Sequence, residues 1–183
     1  MRTHTVLSIA AAAGLTSMAR PVWMASVSEA EAYRMLQDVA LRAIVSALRE
    51  TVRVDRCTLR LDVAGDYFPV VHEDRTPDAG TLIGDREVRL QGQPVVEAIL
   101  AGAEQVVQPD STTASEDPAF QRMLAHYGGL GAQVVTPVRE GGRLLGIISL
   151  HHLGGPRDWG ERELALARAG AELVARLVVQ RPV

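Results

Sequence analysis

The chain has 183 residues and a formal net charge of −3; 47% of its residues are hydrophobic and 22% are charged. This length and balance are typical of one folded domain, exclude an intrinsically disordered protein, and give no basic surface for nucleic acid or an anionic membrane. The single cysteine, Cys57, excludes an internal disulfide and a multi-cysteine zinc site, and we expect a reducing, cytoplasmic setting.

Residues 1–27 are predicted to be a leader that precedes the domain. Their apolar run, residues 6–15, is shorter than the roughly 20 residues that a membrane-spanning helix needs. Ser17-Met18-Ala19 is similar to the cleavage site of a secretory signal peptide, which is the alternative interpretation. The alanine-rich run and the single early arginine favour the leader.

The first predicted helix begins at Ser28 and spans about six turns. Ser28 and Glu31 have the spacing of a capping box, in which the serine hydroxyl and the glutamate carboxylate each satisfy a free backbone N–H. Apolar residues then recur three and four positions apart as far as Val52, which indicates one buried helix face.

The apolar period then changes from that of a helix to that of a strand. Cys57, Leu59 and Leu61 alternate with Thr58 and Arg60, which predicts a strand over residues 55–63 with one buried face. Ala64-Gly65 is predicted to turn the chain into a second strand over residues 66–73.

The central part of the chain is predicted to contain shorter elements. In order, they are a loop at 73–84, a helix after Pro94 that ends near Gly102, a strand at 104–108, a polar loop at 109–117, and a helix at 118–127 that Gly128 and Gly129 terminate.

Gly141-Gly142 lies between two runs rich in valine and isoleucine, which predicts a β-hairpin with positive φ at the turn. Alternation along the second strand places one apolar set on one face, namely Leu144, Gly146, Ile148, Leu150 and His152. The opposite face then carries Leu145, Ile147, Ser149 and His151. A long final helix is predicted from Asp158, which with Glu161 has the spacing of a second capping box.

Few of the links between strands are long helical crossovers, so we expect a largely antiparallel sheet covered by helices, an α+β domain. The segment VVTPVREGGRLLGIISLHHLGGPRDWGERELALARAGAELVARL, residues 134–177, resembles the last third of a GAF domain. It is most similar to the phytochrome and cyanobacteriochrome branch, in which such a strand ends in a histidine pair before a Pro-Arg turn and a final helix. The upstream elements match in order and length, which predicts a single GAF domain over residues 28–181.

The resemblance implies a PAS-related sheet of five or six antiparallel strands. The first and last helices would pack on one face, and short helices would cover a ligand pocket on the other. It implies a set of pocket residues: Thr58, Arg60, Ile147, Ser149 and His151 on the sheet, and Phe120, Met123 and Tyr127 on the covering helix. His151 is at the position of a pocket histidine in the chromophore-binding relatives.

Each of these residues also has a purely structural interpretation. His151 and His152 could be histidines at the rim of the sheet, Arg60 a charge on an exposed edge, and the helix stripe ordinary core. Adjacent strand residues point to opposite faces, so the two histidines are not expected to chelate a metal.

One departure from the family bears on the cofactor. Relatives that attach a bilin do so through a cysteine before the hairpin, whereas residues 117–121 here are Asp-Pro-Ala-Phe-Gln. A covalent bilin at that place is therefore excluded. Cys57 is expected on the opposite face, and the sequence assigns no cofactor.

We expect a non-catalytic, small-molecule-sensing or regulatory module of unassigned ligand. Its signal would pass through the terminal helices to a partner protein or to a homodimer formed by residues 28–53 and 158–180. The alternatives are a non-covalent chromophore or haem sensor, a structural dimerisation module, and an enzyme of the free methionine sulfoxide reductase type. The single cysteine disfavours the enzyme, because that chemistry needs a second thiol to exchange a disulfide.

Overall fold

The computed structural model describes residues 27–61, 69–85 and 93–179. The leader up to residue 26 and the predicted Ala64-Gly65 turn lie outside these ranges. The elements, in chain order, are α1 (Glu29–Val52), β1 (Arg56–Leu61), β2 (Val70–Arg75), α2 (Pro94–Leu100), β3 (Val106–Gln108), α3 (Pro118–His126), β4 (Leu130–Glu140), β5 (Arg143–Leu153) and α4 (Glu161–Val179).

The five strands form one sheet in the order β2-β1-β5-β4-β3, and every neighbouring pair is antiparallel. The predicted α+β class and antiparallel sheet are therefore confirmed. β1 and β5 lie next to each other at the centre although they are distant in sequence. This central pairing brings the start of the domain against the hairpin near its end.

The two long helices pack against each other and against one face of the sheet. The capping box at Ser28 and Glu31 is present, with the Glu31 N–H donating to Ser28 Oγ at 3.2 Å. Gln37 Nε2 donates to the Leu177 carbonyl at 2.6 Å, near the opposite end of α4. These contacts hold the first and last helices of the domain side by side.

The core between helices and sheet is made of aliphatic side chains from α1, α4 and the three central strands. Cys57, Leu59, Ile148 and Leu150 are fully buried in it, and Leu61 packs against it, as the alternation predicts. Each buried leucine or isoleucine of this kind contributes about 2 kcal/mol to folding. One face of β1 and β5 is therefore committed to helix packing.

The hairpin is confirmed, with φ of 52° at Gly141 and 84° at Gly142, but its strand alternation is interrupted. The partner of Val138 is Gly146 and the partner of Arg139 is Leu144, so Leu145 is an extra residue on β5. Because side chains alternate between the two faces of a strand, such a bulge exchanges the faces for the residues on one side of it. Leu145 therefore packs in the helix-face core and Leu144 on the other face, the reverse of the prediction.

Three element ends differ from the predictions. β3 begins at Val106 rather than at residue 104, because its pairing with β4 begins there. β2 continues past Glu73 to Arg75, because Arg75 pairs with Arg56 at the start of β1. α4 begins at Glu161 rather than Asp158, and its first turn is capped by Glu163, whose carboxylate accepts the Gly160 N–H at 2.8 Å. The same carboxylate group pairs with Arg157, which fixes it at this position.

Candidate functional site

A cavity of about 50 Å³ lies on the sheet face that α1 and α4 leave free. Its floor is formed by β1, β4 and β5, and α2 and α3 cover it. Six lining residues are apolar: Val95, Val96, Phe120, Met123, Val135 and Ile147. The other six carry polar groups: Arg60, Gln93, Tyr127, Gln133, Ser149 and His151.

The structure brings the predicted pocket residues to this one cavity, except Thr58. Thr58 is buried on the same side of the sheet, but it does not line the cavity, and its Oγ1 has no hydrogen-bond partner among the described residues. The covering residues Phe120, Met123 and Tyr127 are at once core and cavity wall. The helix stripe therefore packs as core and also lines the cavity, and its contact with a ligand stays a prediction.

The centre of the cavity floor is the end of β5. Ser149 and His151 are 4% and 2% exposed, and β4 places Val135 and Gln133 directly opposite them. Neither Ser149 Oγ nor His151 Nε2 has a hydrogen-bond partner in the described part of the chain. Two polar groups thus remain available to whatever occupies the cavity.

A buried arginine fixes the state of His151. Arg56 Nε donates to His151 Nδ1 at 3.1 Å. An arginine Nε always carries its proton, so Nδ1 must be the acceptor and the imidazole proton must be on Nε2. Burial, followed by the charges of Arg56 and Arg60, lowers the pKa of His151 well below its ordinary value. His151 is therefore a neutral imidazole that offers a single donor, Nε2–H.

Arg56 itself is fully buried, and the hydrogen-bond acceptors that it has in the described ranges are neutral. Besides His151, it donates to the Gly80 carbonyl at 2.8 Å and to the Tyr127 carbonyl at 2.9 Å. The Tyr127 carbonyl belongs to the C-terminal end of α3, where the helix dipole favours a cation. Burial lowers the pKa of Arg56. One guanidinium thus connects the sheet, the loop that contains Gly80 and the covering helix.

Sequence reasoning did not identify Arg56 as a site residue. The alternation places Arg56 on the same face as Thr58 and Arg60, and this shared face is the signal that could have identified it. A charged residue at the start of a strand is ordinarily solvent-exposed. Arg56 is buried instead because β2 and β5 flank it and α3 ends above it.

Arg60 is inside the domain rather than on an exposed edge. It is 5% exposed, because β1 is an inner strand between β2 and β5. Its guanidinium donates to the Tyr127 hydroxyl at 2.8 Å and lies 4.0 Å from an Asp85 carboxylate oxygen. Burial raises the pKa of Tyr127, so the phenol keeps its proton.

The residues outside the cavity have structural surroundings. Cys57 is in the helix-face core, where burial raises the pKa of its thiol. His152 Nδ1 lies 3.0 Å from Asp55 Oδ2. Within the described ranges, no cluster of three metal-ligating side chains occurs, and no helix has the length and hydropathy needed to cross a membrane.

An antiparallel sheet with two long helices on one face and a covered cavity on the other defines an α+β domain with an internal cavity. The family model of the GAF domain matches residues 37–178. The chain belongs to the GAF family. No curated protein matches the chain.

Similar solved structures include GAF domains and a chromophore-binding domain. The PixJ GAF domain of Thermosynechococcus elongatus, in its blue-light-absorbing form, has 21% identity and a TM-score of 0.66 over 80% of this chain and 89% of that one. The chromophore-binding domain of Stigmatella aurantiaca bacteriophytochrome has 17% identity and a TM-score of 0.64 over 77% and 53%. The GAF domain of Acinetobacter phosphoenolpyruvate-protein phosphotransferase has 15% identity and a TM-score of 0.62 over 78% and 81%. These likenesses confirm the GAF fold and its similarity to the phytochrome-type branch.

Proposed function

We propose that the chain is a non-catalytic sensing module of the cytoplasm that binds a small molecule in the cavity between the sheet and helices α2 and α3. The observation that carries this proposal is the pair of polar groups, His151 Nε2–H and Ser149 Oγ, that have no hydrogen-bond partner among the described residues and lie in an otherwise mostly apolar space. A few convergent polar groups in an apolar cavity are typical of ligand sites. The ligand would contact His151, Ser149 and Arg60 through polar atoms, and Ile147, Phe120 and Met123 through apolar ones.

The chemistry of the site favours binding over catalysis. A general base needs a pKa near the working pH, whereas the pKa of His151 is held far below its ordinary value. A nucleophilic thiol needs to ionise readily, whereas burial raises the pKa of Cys57, and Cys57 faces the helices. The reductase alternative is therefore not part of the proposal.

The second candidate is a non-covalent chromophore or haem sensor, favoured by the photoreceptor domains among the similar structures. A pocket for such a cofactor needs several hundred Å³. The cavity here has about 50 Å³, so helices α2 and α3 would have to move away from the sheet to admit a tetrapyrrole. The size of the cavity supports a ligand of a few heavy atoms.

Native mass spectrometry and an absorption spectrum of the protein as purified test these two candidates. We expect a small adduct that is lost on denaturation, and no visible absorption band. The variant Ser149→Val, which fills the cavity, should lose the adduct, whereas Ser46→Val on α1 should keep it. A visible band would favour the chromophore candidate. If the folded protein carries no adduct and no metabolite raises its melting temperature, the sensing proposal is wrong.

The proposed output is a homodimer through residues 28–53 and 158–180, or a partner protein at the same helices. Met35, Leu36 and Val39 on α1 are 64%, 70% and 63% exposed, and Leu173 on α4 is 50% exposed. Large apolar side chains grouped on one exposed face are typical of an interaction surface. The pair formed by α1 and α4 would meet the same pair of a second copy as a four-helix bundle.

Light scattering tests the dimer. We expect twice the mass of one chain for the wild type and the mass of one chain for Leu36→Glu. Val107→Glu, an apolar-to-acid change at a 37% exposed position on β3, is the matched control and should remain a dimer. A wild-type protein with the mass of one chain at micromolar concentration contradicts the dimer.

A further inference from the structure

The polar groups in the cavity specify more than the presence of a ligand. His151 Nδ1 is occupied by Arg56, so the imidazole can only donate into the cavity, through Nε2–H. The Tyr127 hydroxyl accepts a bond from Arg60, which leaves its own proton to donate. Ser149 Oγ lies two residues before His151 on the same strand and can donate as well. His151 can therefore only donate into the cavity, and Ser149 on the same strand and Tyr127 after α3 can each donate as well.

The charges around this donor set are positive. The guanidinium of Arg56 is buried behind His151 and is bonded only to neutral acceptors in the described part of the chain. Arg60 adds a second buried guanidinium at the cavity wall, with the Asp85 carboxylate 4.0 Å away. A buried cation without a contacting anion is unfavourable, and an anion close by offsets part of its cost.

The remaining polar groups are compatible with a compact ligand. Gln133 Nε2 donates one of its two N–H groups to Gln108 Oε1 at 2.7 Å. Gln93 Oε1 is a buried acceptor without a partner among the described residues. A volume of about 50 Å³ is several times the roughly 10–15 Å³ that one water needs. A molecule the size of acetate or propionate fits this space without movement of the helices.

We infer that the ligand of this cavity is a small carboxylate, whose oxygens accept from His151 Nε2–H and Ser149 Oγ and whose methyl or methylene groups face Ile147 and Phe120. This inference rests on the proposed sensing function and specifies its ligand class. Arg56 acts as a positioning residue: it holds His151 in the tautomer that donates, and it adds positive potential without touching the ligand. A carboxylate receives charge-assisted hydrogen bonds here that a neutral carbonyl does not.

The test compares acetate and propionate with acetamide, by isothermal titration calorimetry and by the melting temperature of the full chain, with sodium chloride at matched ionic strength as the reference. Acetamide has the shape of acetate but no charge, and its amino group could also donate to Gln93 Oε1, which makes it a stringent control. We expect saturable binding of both carboxylates and at least tenfold weaker binding of acetamide. Acetamide binding as tightly as acetate would overturn the carboxylate inference while the sensing function stands.

Variants locate the site. Ser149→Ala should weaken acetate binding roughly tenfold, because it removes one hydrogen bond to a charged group. Ser46→Ala on α1 should leave acetate binding unchanged. Unchanged binding in Ser149→Ala would mean that the carboxylate does not occupy this cavity and would overturn the inference. If neither carboxylate binds but the purified protein carries another adduct, the ligand class is wrong and the sensing function is not.

The positioning role of Arg56 has its own readout. Nitrogen chemical shifts of the His151 ring distinguish a proton on Nε2 from one on Nδ1, independently of ligand binding. We expect the Nε2–H tautomer in the wild type and a mixture of tautomers in Arg56→Met. Wild-type protein with the proton on Nδ1, or with a charged ring at neutral pH, would overturn the inference even if Arg56→Met fails to fold.

Discussion

Replacing His151 by glutamine separates the titration of the imidazole from its hydrogen-bonding role. The side-chain carbonyl of glutamine can accept from Arg56 Nε as His151 Nδ1 does, but it does not titrate. His151 is 2% exposed, and the groups around it on the neighbouring elements are Arg56 and Arg60 on β1, Gln133 on β4 and Tyr127 after α3. Among the described residues, no carboxylate contributes to the lowering of its pKa, and burial and the two arginines all oppose protonation.

The sign and size of the effect follow from linkage. The folded-state pKa of His151 is lowered, so below about pH 6.5 the unfolded chain binds a proton that the folded chain does not. Stability is therefore lost as the pH falls through the unfolded-state pKa, and it continues to fall until the folded-state pKa is reached. Within that window, the loss in the free energy of unfolding approaches about 1.4 kcal/mol per pH unit.

Urea denaturation at pH 7.5 and 5.5 measures this loss, and each variant is compared only with itself at the two pH values. We expect the wild type to lose on the order of 1 kcal/mol more than His151→Gln between these pH values. His72 also has a pKa lowered by burial, but Asp38 at 3.6 Å opposes the shift, so His72→Gln should remove a smaller part of the pH dependence. An identical pH dependence in the wild type and His151→Gln would refute the neutral, Arg56-bonded imidazole.

Three further predictions concern the framework that holds the site. Gly146→Ala should destabilise the domain by at least about 2 kcal/mol in urea denaturation, because its Cβ would lie 2.1 Å from the Arg60 carbonyl oxygen. The control Gly155→Ala, whose Cβ would meet nothing within 4 Å, should change stability by less than about 0.5 kcal/mol. Equal effects of the two variants would contradict the register of β1 on β5. Cys57 should not react with a thiol reagent in the folded protein and should react fully in urea, because burial excludes the reagent and raises the pKa of the thiol. A fast reaction of the folded protein would mean that Cys57 lies outside the core. Ser28→Ala should cost about 1 kcal/mol through loss of the α1 cap, and an unchanged stability would mean that the first turn contributes nothing.

The parts of the fold that repeat a local rule could be predicted from the sequence. The α1 helix that begins after the Ser28 cap and the two-glycine turn depend on neighbours three, four or two residues away, and both are present. The same holds for Cys57, Leu59 and Leu61, whose alternation places them in the helix-face core. These features need no knowledge of distant contacts. The predicted buried face of α1 is wrong in its first half: only Leu41, Val45, Leu48 and Val52 are buried, whereas Leu36 and Val39 of the predicted stripe are exposed because nothing in the described part of the domain covers them.

Arg56 could not be predicted because its burial depends on parts of the chain that are far apart in sequence. Its three acceptors lie on β5, at Gly80 and at the end of α3. The local sequence predicts the face of the sheet on which the Arg56 side chain lies, but not which elements cover it. The cap of α4 is a smaller case of the same kind: the carboxylate that reaches back to Gly160 is Glu163, which Arg157 holds in place.

The bulge at Leu145 decides which β4 residues share the cavity floor with Ser149 and His151. Counting outward from the Gly141-Gly142 turn without a bulge would place Val134 opposite Ser149. The extra residue shifts the pairing by one, so Val135 is opposite Ser149 and enters the cavity, while Val134 packs in the helix-face core. Gly146, next to the bulge, lies with its backbone against Arg60, where a side chain would collide. The set of residues on the cavity floor therefore depends on the extra residue Leu145 and on the lack of a side chain at Gly146. Neither feature can be predicted from the alternating pattern of the strands.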